Sequence, residues 1–363
     1  MRDIFKFDWI LVFVVALLLG LSSIILYSLS FAQSDSGLSY FIRHLFTVAI
    51  GIGAIIFLAF YDYRALNTYS TKLYFAILII LSAVLIWGTQ VRGTTGWLGL
   101  GNFHIQPVEV AKVIMIIFLA SFLSKKKTKL SIPSRIIASI VLVLLPVLLI
   151  WKQPDFGSSM IIIAIWLGMI LFSGVNKKSL VIIFLVGVMA LASGYFLIKD
   201  YQKERLANFF NVYRDPQGSG YNVIQSMVAV GSGGVFGKGL GHGSQSQLNF
   251  LPEKHTDFIF AVIAEELGLF GSLIALVLFS VVLFRIKETA RLARDNFGYL
   301  LCIGIMAMLF SQILINIGMN VGLVPVAGVP LPFLSYGGSS MVSVLAAMGI
   351  LQSVYTRRIK TFD

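Results

Sequence analysis

The chain has 363 residues, of which 58% are hydrophobic and 12% charged, with a mean hydropathy of +0.90. A water-soluble globule carries about twice that charged fraction, so a soluble fold is excluded and an integral membrane protein is required. The net charge of +12 would suit a polyanion such as nucleic acid, but its placement along the chain argues for no nucleic acid partner.

A hydrocarbon core needs about 20 apolar residues per helical span. Ten such stretches are predicted, roughly at 9 to 30, 41 to 60, 70 to 88, 107 to 123, 134 to 151, 157 to 174, 179 to 198, 258 to 284, 298 to 320 and 337 to 355. The expected fold is therefore an all-α integral membrane protein of about ten transmembrane helices, a single polytopic domain over 1–363. The first span follows Arg2 and Lys6 and is too long for a signal-peptide core, so it reads as an uncleaved anchor. Cys302 is the sole cysteine and sits inside a span, so no internal disulfide is expected. Of the 28 Lys and Arg residues, 18 fall at the two termini and in alternate loops. The positive-inside rule then puts both termini in the cytoplasm, with "KKKTK" at 125–129 a topology signal and a contact for anionic membrane lipids.

Three loops on the opposite, outer side are unusual. The segment 92–112 is glycine-rich and polar; 199–257 is a large extracytoplasmic loop of balanced charge, with apolar stretches near 206–212 and 221–230 suited to short interfacial helices; 322–340 carries Pro325, Pro330 and Pro332 before paired glycines. Long ordered loops usually carry function, and irregular backbone at membrane depth is tolerated only against protein or a water-filled cavity. The absence of a convincing internal repeat weakens a transporter built from two related halves.

Ionisable residues in or beside spans are costly and are functional hypotheses by default, against the plainer reading of a snorkelling or paired structural group. They are Arg43, Glu109, Lys112, Asp155, Asp257, Glu265 and Glu266. Glu109 and Lys112 are i, i+3 and can pair, or the ammonium can meet a phosphate in a cavity with Gln106 one turn away. Asp155 in "KQPDFGSS" reads equally as a helix N-cap. Asp257 ends the polar run "EKHTD" just before "FIFAVIA", at the boundary of loop and membrane, where a carboxylate partly withdrawn from water can serve as a base. Glu265 and Glu266 lie about 12 to 14 Å further along a helix, beyond the roughly 5 to 9.5 Å of a glycosidase carboxylate pair, and read as structural. Lys254 reads as solvated, and His255 equally as a loop hydrogen-bonding group or a substrate contact. "GSGGVFGKG" at 231–239 lacks the spacing and the Ser/Thr of a phosphate-binding loop. Four scattered histidines and one cysteine do not suit zinc, whereas a Mg2+ or another divalent cation between carboxylates and substrate phosphates stays open; no organic cofactor is expected.

The stretch 220–268, with "QPVEVAK", "QPDFGSS" and "GVPLPFLSYGGSS", closely resembles the SEDS family (shape, elongation, division and sporulation proteins) in four motifs set in the family's order over essentially the whole chain. "GSQSQLNFLPE" and the short tails resemble its elongation branch. The resemblance implies a peptidoglycan glycosyltransferase that polymerises lipid II into glycan strands at the outer face of the cytoplasmic membrane. The family's essential aspartate falls on Asp257, and its cavity residues fall on Gln106, Glu109, Lys112, Asp155, Arg43 and Trp97; Glu253, His255, Thr256 and Ser335 are further expected substrate contacts. The chain departs from the family's usual residues at Gly96, His104 and Val108. In the implied reaction Asp257 is the general base, Lys112 and a divalent cation stabilise the leaving undecaprenyl pyrophosphate, and no protonating acid is needed. Implied partners are lipid II, the growing strand, a class B penicillin-binding protein that acts as transpeptidase, and cell-shape proteins of the elongation machinery. The alternatives are a lipid II flippase and a non-catalytic scaffold for a transpeptidase.

Overall fold

A computed structural model describes residues 7–30, 37–91, 94–100, 103–125, 132–174 and 220–358. Its helices are α1 (Trp9–Ser30), α2 (Gly37–Phe60), α3 (Tyr63–Trp87), α4 (Pro107–Ser124), α5 (Ile132–Lys152), α6 (Phe156–Phe172), α7 (Tyr221–Ser232), α8 (Ser244–Gln247), α9 (Ile259–Arg291), α10 (Asn296–Asn320) and α11 (Gly338–Thr356). Among the described residues 8 helices are long and apolar enough to cross a membrane, namely α1 to α5 and α9 to α11, and α6 is a shorter apolar helix. The span expected at 179–198, the stretch near 206–212 and the rest of the loop up to residue 219 lie outside the described residues.

Helix starts are set by local chemistry. Asp62, Asp155 and Asp295 are N-caps whose carboxylates accept from the backbone N–H groups of Arg64, Ser158 and Gly298, and Pro107 opens α4, where its missing N–H costs nothing. The Asp62 cap explains why α3 begins at Tyr63, several residues before the apolar run predicted from 70. The centre of the bundle is α4, α10 and α11, whose most apolar windows are 72, 67 and 67% buried, while that of α2 is 11% buried. Helix α10 packs on α4, α6 and α9; α11 packs on α2; α3 packs on α4.

The expectation of irregular backbone over 92–112 is corrected in part. Short strands β1 (Thr89–Val91), β2 (Thr94–Leu100) and β3 (Phe103–Ile105) form an antiparallel sheet in the order β1-β2-β3, with Thr89 opposite Trp97 and Gly99 opposite His104. The strand pairing supplies hydrogen-bond partners for a segment whose glycines disfavour helix. In the large loop, the apolar stretch expected at 221–230 is α7, as anticipated.

Helix α9 is broken at Gly268, where φ is +69° and ψ −163°. The loop after α7 fills the gap: Lys238 and Gly239 donate to the carbonyls of Glu265 and Glu266, and Leu269 and Phe270 donate to those of Gly234 and Val235, at 2.9 to 3.1 Å. From Leu269 onward α9 is about 34 Å long at 1.5 Å per residue, enough for a core of ~30 Å. The segment before the break is buried in the core of the bundle and tied to the loop, with Asp257 just ahead of it. A Cβ at position 268 would sit 2.6 Å from the Val235 carbonyl oxygen and in a backbone region that L side chains avoid. Gly268→Ala is expected to cost about 1–3 kcal/mol, read as a lowered Tm in detergent; Gly231→Ala, with open space at that position, should leave Tm unchanged or raise it.

Candidate active site

Four helices begin at one place. Gln106 is the N-cap of α4, Asp155 of α6 and Gly337 of α11, and Asp257 directly precedes Phe258, the N-cap of α9. They enclose a cavity of about 170 Å³ lined by these starts, by Thr94 and Trp97 of β2, and by the proline- and glycine-rich segment around Gly328. Each helix start presents backbone N–H groups without intrahelical partners and the positive end of its dipole. Only α6 of the four is capped by the side chain of its own N-cap residue. The start of α11, Gly337 to Ser340, therefore offers an anion backbone donors in a wall that also carries the Asp155 and Asp257 carboxylates.

The starts are bound to one another. Gln106 donates its backbone N–H to Ser339 Oγ of α11 (2.9 Å) and its side-chain Nε2 to Asp155 Oδ2 (3.1 Å). Asp155 also accepts from the Ser158 N–H (2.9 Å) and hydroxyl (2.8 Å). Burial pushes the Asp155 carboxyl up from its ordinary pKa, and the Ser158 hydrogen bonds and the nearby Lys112 charge oppose that.

Of the residues singled out in the sequence, Trp97, Gln106, Asp155, Thr256 and Asp257 line the cavity together. Glu109 and Lys112 do not line it: they are 3% and 1% exposed and bonded to each other at 2.8 Å within α4, close enough to act on Asp155 by charge. Arg43 is exposed on α2 and is not part of the cavity wall. His255 stacks on Tyr40 with ring centroids 5.3 Å apart, and its carbonyl accepts the Tyr336 N–H at 2.8 Å. Ser335 is buried, accepts from the Leu331 N–H (2.7 Å) and donates to the Thr256 carbonyl (2.6 Å), which ties the 322–337 segment to the residue before Asp257. Glu253, at φ +51°, accepts from the Thr256 hydroxyl at 3.0 Å and closes the turn leading to Asp257.

Lys254 is not the solvated residue its sequence suggested. It is 3% exposed, its ammonium donates to the Ser246 carbonyl and to Asn249 Oδ1, and burial lowers its pKa to about 8. The positive φ at Asn249 and Glu253 folds the chain back over it, a conformation that no residue type in the run announces. Glu265 and Glu266 are both fully buried and structural, as expected: Glu265 binds Lys238 (2.9 Å) and the N–H groups of Gln245 and Ser246, and Glu266 binds Ser28 and Gln247. Sequence reading missed Thr94 and the Gly337–Ser340 start of α11 as cavity wall, although "YGGSS" was in view. It also missed Asn316 and Asn320, whose amides donate to the Asp257 carbonyl at 2.9 and 3.0 Å. Two polar side chains one turn apart inside an apolar span were the available signal, passed over because they do not ionise.

A family model for cell cycle proteins of the FtsW/RodA/SpoVE type matches residues 8–360. The chain is 39% identical over 345 residues to the peptidoglycan glycosyltransferase MrdB of Escherichia coli K12, covering 94% of this chain and 93% of that one. Its fold is similar to a chain of a peptidoglycan synthase complex described as coordinating polymerization and crosslinking, with a TM-score of 0.81 and 29% identity over 98% of this chain and 99% of that one. It is similar also to the rod shape determining protein RodA of Thermus thermophilus, with a TM-score of 0.73 and 29% identity over 98% of each chain. With one family model spanning nearly its whole length, the chain belongs to the FtsW/RodA/SpoVE family of cell cycle proteins.

Proposed function

We propose that this peptidoglycan glycosyltransferase, a multi-pass protein of the bacterial cytoplasmic membrane, polymerises lipid II during cell elongation at the cavity between its helix starts, with Asp257 as general base. The observation that carries the reading is the convergence of one half-buried carboxylate with four helix N-termini on one cavity. The 4-hydroxyl of one lipid II attacks C1 of the N-acetylmuramic acid at the reducing end of the growing strand. The new C1–O4 bond forms as the C1–O bond to the diphosphate breaks, the centre inverts, and the hydroxyl proton passes to Asp257. Undecaprenyl pyrophosphate leaves as an anion and needs no acid. One carboxylate therefore suffices, which agrees with Glu265 and Glu266 being committed elsewhere.

Charge on the leaving diphosphate falls to the backbone N–H groups of α11, where Gly337 and Gly338 bring no side chain to obstruct approach. Lys112 acts through the neutral pair it makes with Glu109, which holds the floor beneath Gln106 and Asp155, rather than by touching phosphate. A Mg2+ brought in with the diphosphate would take its hard oxygen ligands chiefly from the diphosphate and water, since Asp155 is committed to Gln106 and Ser158 and Asp257 serves as the base, and would neutralise developing charge there. A class B penicillin-binding protein and cell-shape proteins of the elongation machinery are the proposed partners, supported by the likeness to a chain of a peptidoglycan synthase complex.

Asp257→Asn keeps the shape and removes the base; polymerisation of labelled lipid II by the purified variant should fall by about 10²–10⁴-fold with Tm unchanged. Polymer made at the normal rate would remove the base assignment. Lys112→Met leaves Glu109 charged and buried without its partner, a cost of about 3–5 kcal/mol. Its Tm should fall, and the double variant with Glu109→Gln should recover most of the loss.

A further inference from the structure

Helix α9 begins without a side chain of its own to cap it, since Phe258 occupies the N-cap. The partner comes from the facing helix: Asn320 Oδ1 accepts the Ala261 N–H at 3.0 Å. That contact fixes which way round the Asn320 amide sits, because only its oxygen can accept. Its Nδ2 is then the donor to the Asp257 carbonyl at 3.0 Å and to the Asn316 carbonyl at 2.8 Å. Asn316, one turn earlier on the same face of α10, donates Nδ2 to the Asp257 carbonyl at 2.9 Å and to the Val329 carbonyl at 2.7 Å. Both asparagines are fully buried and neither lines the cavity.

Val329 is next to Gly328, which lines the cavity beside Asp257. A Cβ at Gly328, where φ is +65°, would stand 3.8 Å from Asp257 Oδ2. A single amide, that of Asn316, therefore ties together the backbone on both sides of the carboxylate. The Asp257 carbonyl accepts from both amides, one for each of its lone pairs, so its position is fixed from two points on α10.

We infer that Asn316 and Asn320 are positioning residues for Asp257: through its backbone carbonyl they hold the carboxylate at a set distance from the Gly328 wall and so orient it toward the attacking hydroxyl. The inference rests on Asp257 being the base. A carboxylate released from this clamp stays in the cavity but samples orientations away from the hydroxyl, and a misplacement of about 1 Å can cost on the order of 10²-fold in rate. Substrate binding, which uses other parts of the cavity, is little affected.

The test follows polymerisation of labelled lipid II by the full-length chain in detergent for Asn316→Leu, Asn320→Asp, Asp257→Asn and Gln352→Leu. Asn320→Asp keeps the acceptor for Ala261 and removes the donor to Asp257 while its carboxyl is ionised, so, assayed at high pH where the protonated acid cannot donate in its place, it is the variant that decides if Asn316→Leu does not fold. Gln352 makes a comparable buried amide clamp far from the cavity, accepting from the Asp8 N–H (3.0 Å) and donating to its carbonyl (3.1 Å). The asparagine variants are expected to lose at least about tenfold in kcat with KM for lipid II within about twofold, whereas Gln352→Leu lowers Tm and keeps kcat. Folded asparagine variants with unchanged kcat, beside an inactive Asp257→Asn, would overturn the positioning role alone. An active Asp257→Asn would overturn both readings.

Discussion

Every helix start leaves backbone N–H groups that the helix itself cannot satisfy, and in a bundle surrounded by hydrocarbon water is not there to satisfy them. In this protein four starts meet, and they satisfy one another: Gln106 of α4 reaches Ser339 of α11 and Asp155 of α6, and Asn320 of α10 caps α9. The residues at these starts line one cavity.

The same constraint explains how the bundle tolerates charge. Buried ions are stable only when paired and hydrogen-bonded, and removing one partner costs more than the pair contributes. Glu109 with Lys112 and Glu265 with Lys238 follow that rule, and Asp8 with Arg285 repeats it at 2.9 Å in another part of the bundle. The Glu109–Lys112 pair is internal to α4, whereas the other two tie separate segments together: the 238–246 loop against the first half of α9, and the residue preceding α1 against α9 and, through Gln352, α11. Asp257 stands half-buried in the cavity wall, and its backbone carbonyl is held by the amides of α10.

Much of the site was legible because its chemistry is carried by residue types that are costly in a membrane. Asp155 and Asp257 stand out from sequence for that reason, and spacing along one helix was enough to set Glu265 and Glu266 aside. The i, i+3 interval of Glu109 and Lys112 allowed an internal pair, which is what forms, but it could not say whether the ammonium would be left over for a phosphate. Lys254 misled because a lysine in a polar run is normally solvated; its burial depends on two left-handed residues, Asn249 and Glu253, in a loop whose path is set by contacts from distant elements. Neutral amides such as Asn316 and Asn320 carry no charge signal and become functional only when their partner, a backbone carbonyl 59 or more residues away, is known.

The sequence by itself determined that the chain is a polytopic helical membrane protein, where most of its described spans run, and which carboxylate stands at the boundary of loop and membrane. Those properties depend on composition and on spacing along a single helix, which are local. Only the tertiary structure decided that α4, α6, α9 and α11 begin at one point, that Lys112 is spent on Glu109, and that Asp257 is held by amides of α10. Those depend on which helices face one another, and a pattern of apolar residues specifies that a face is buried without specifying against what.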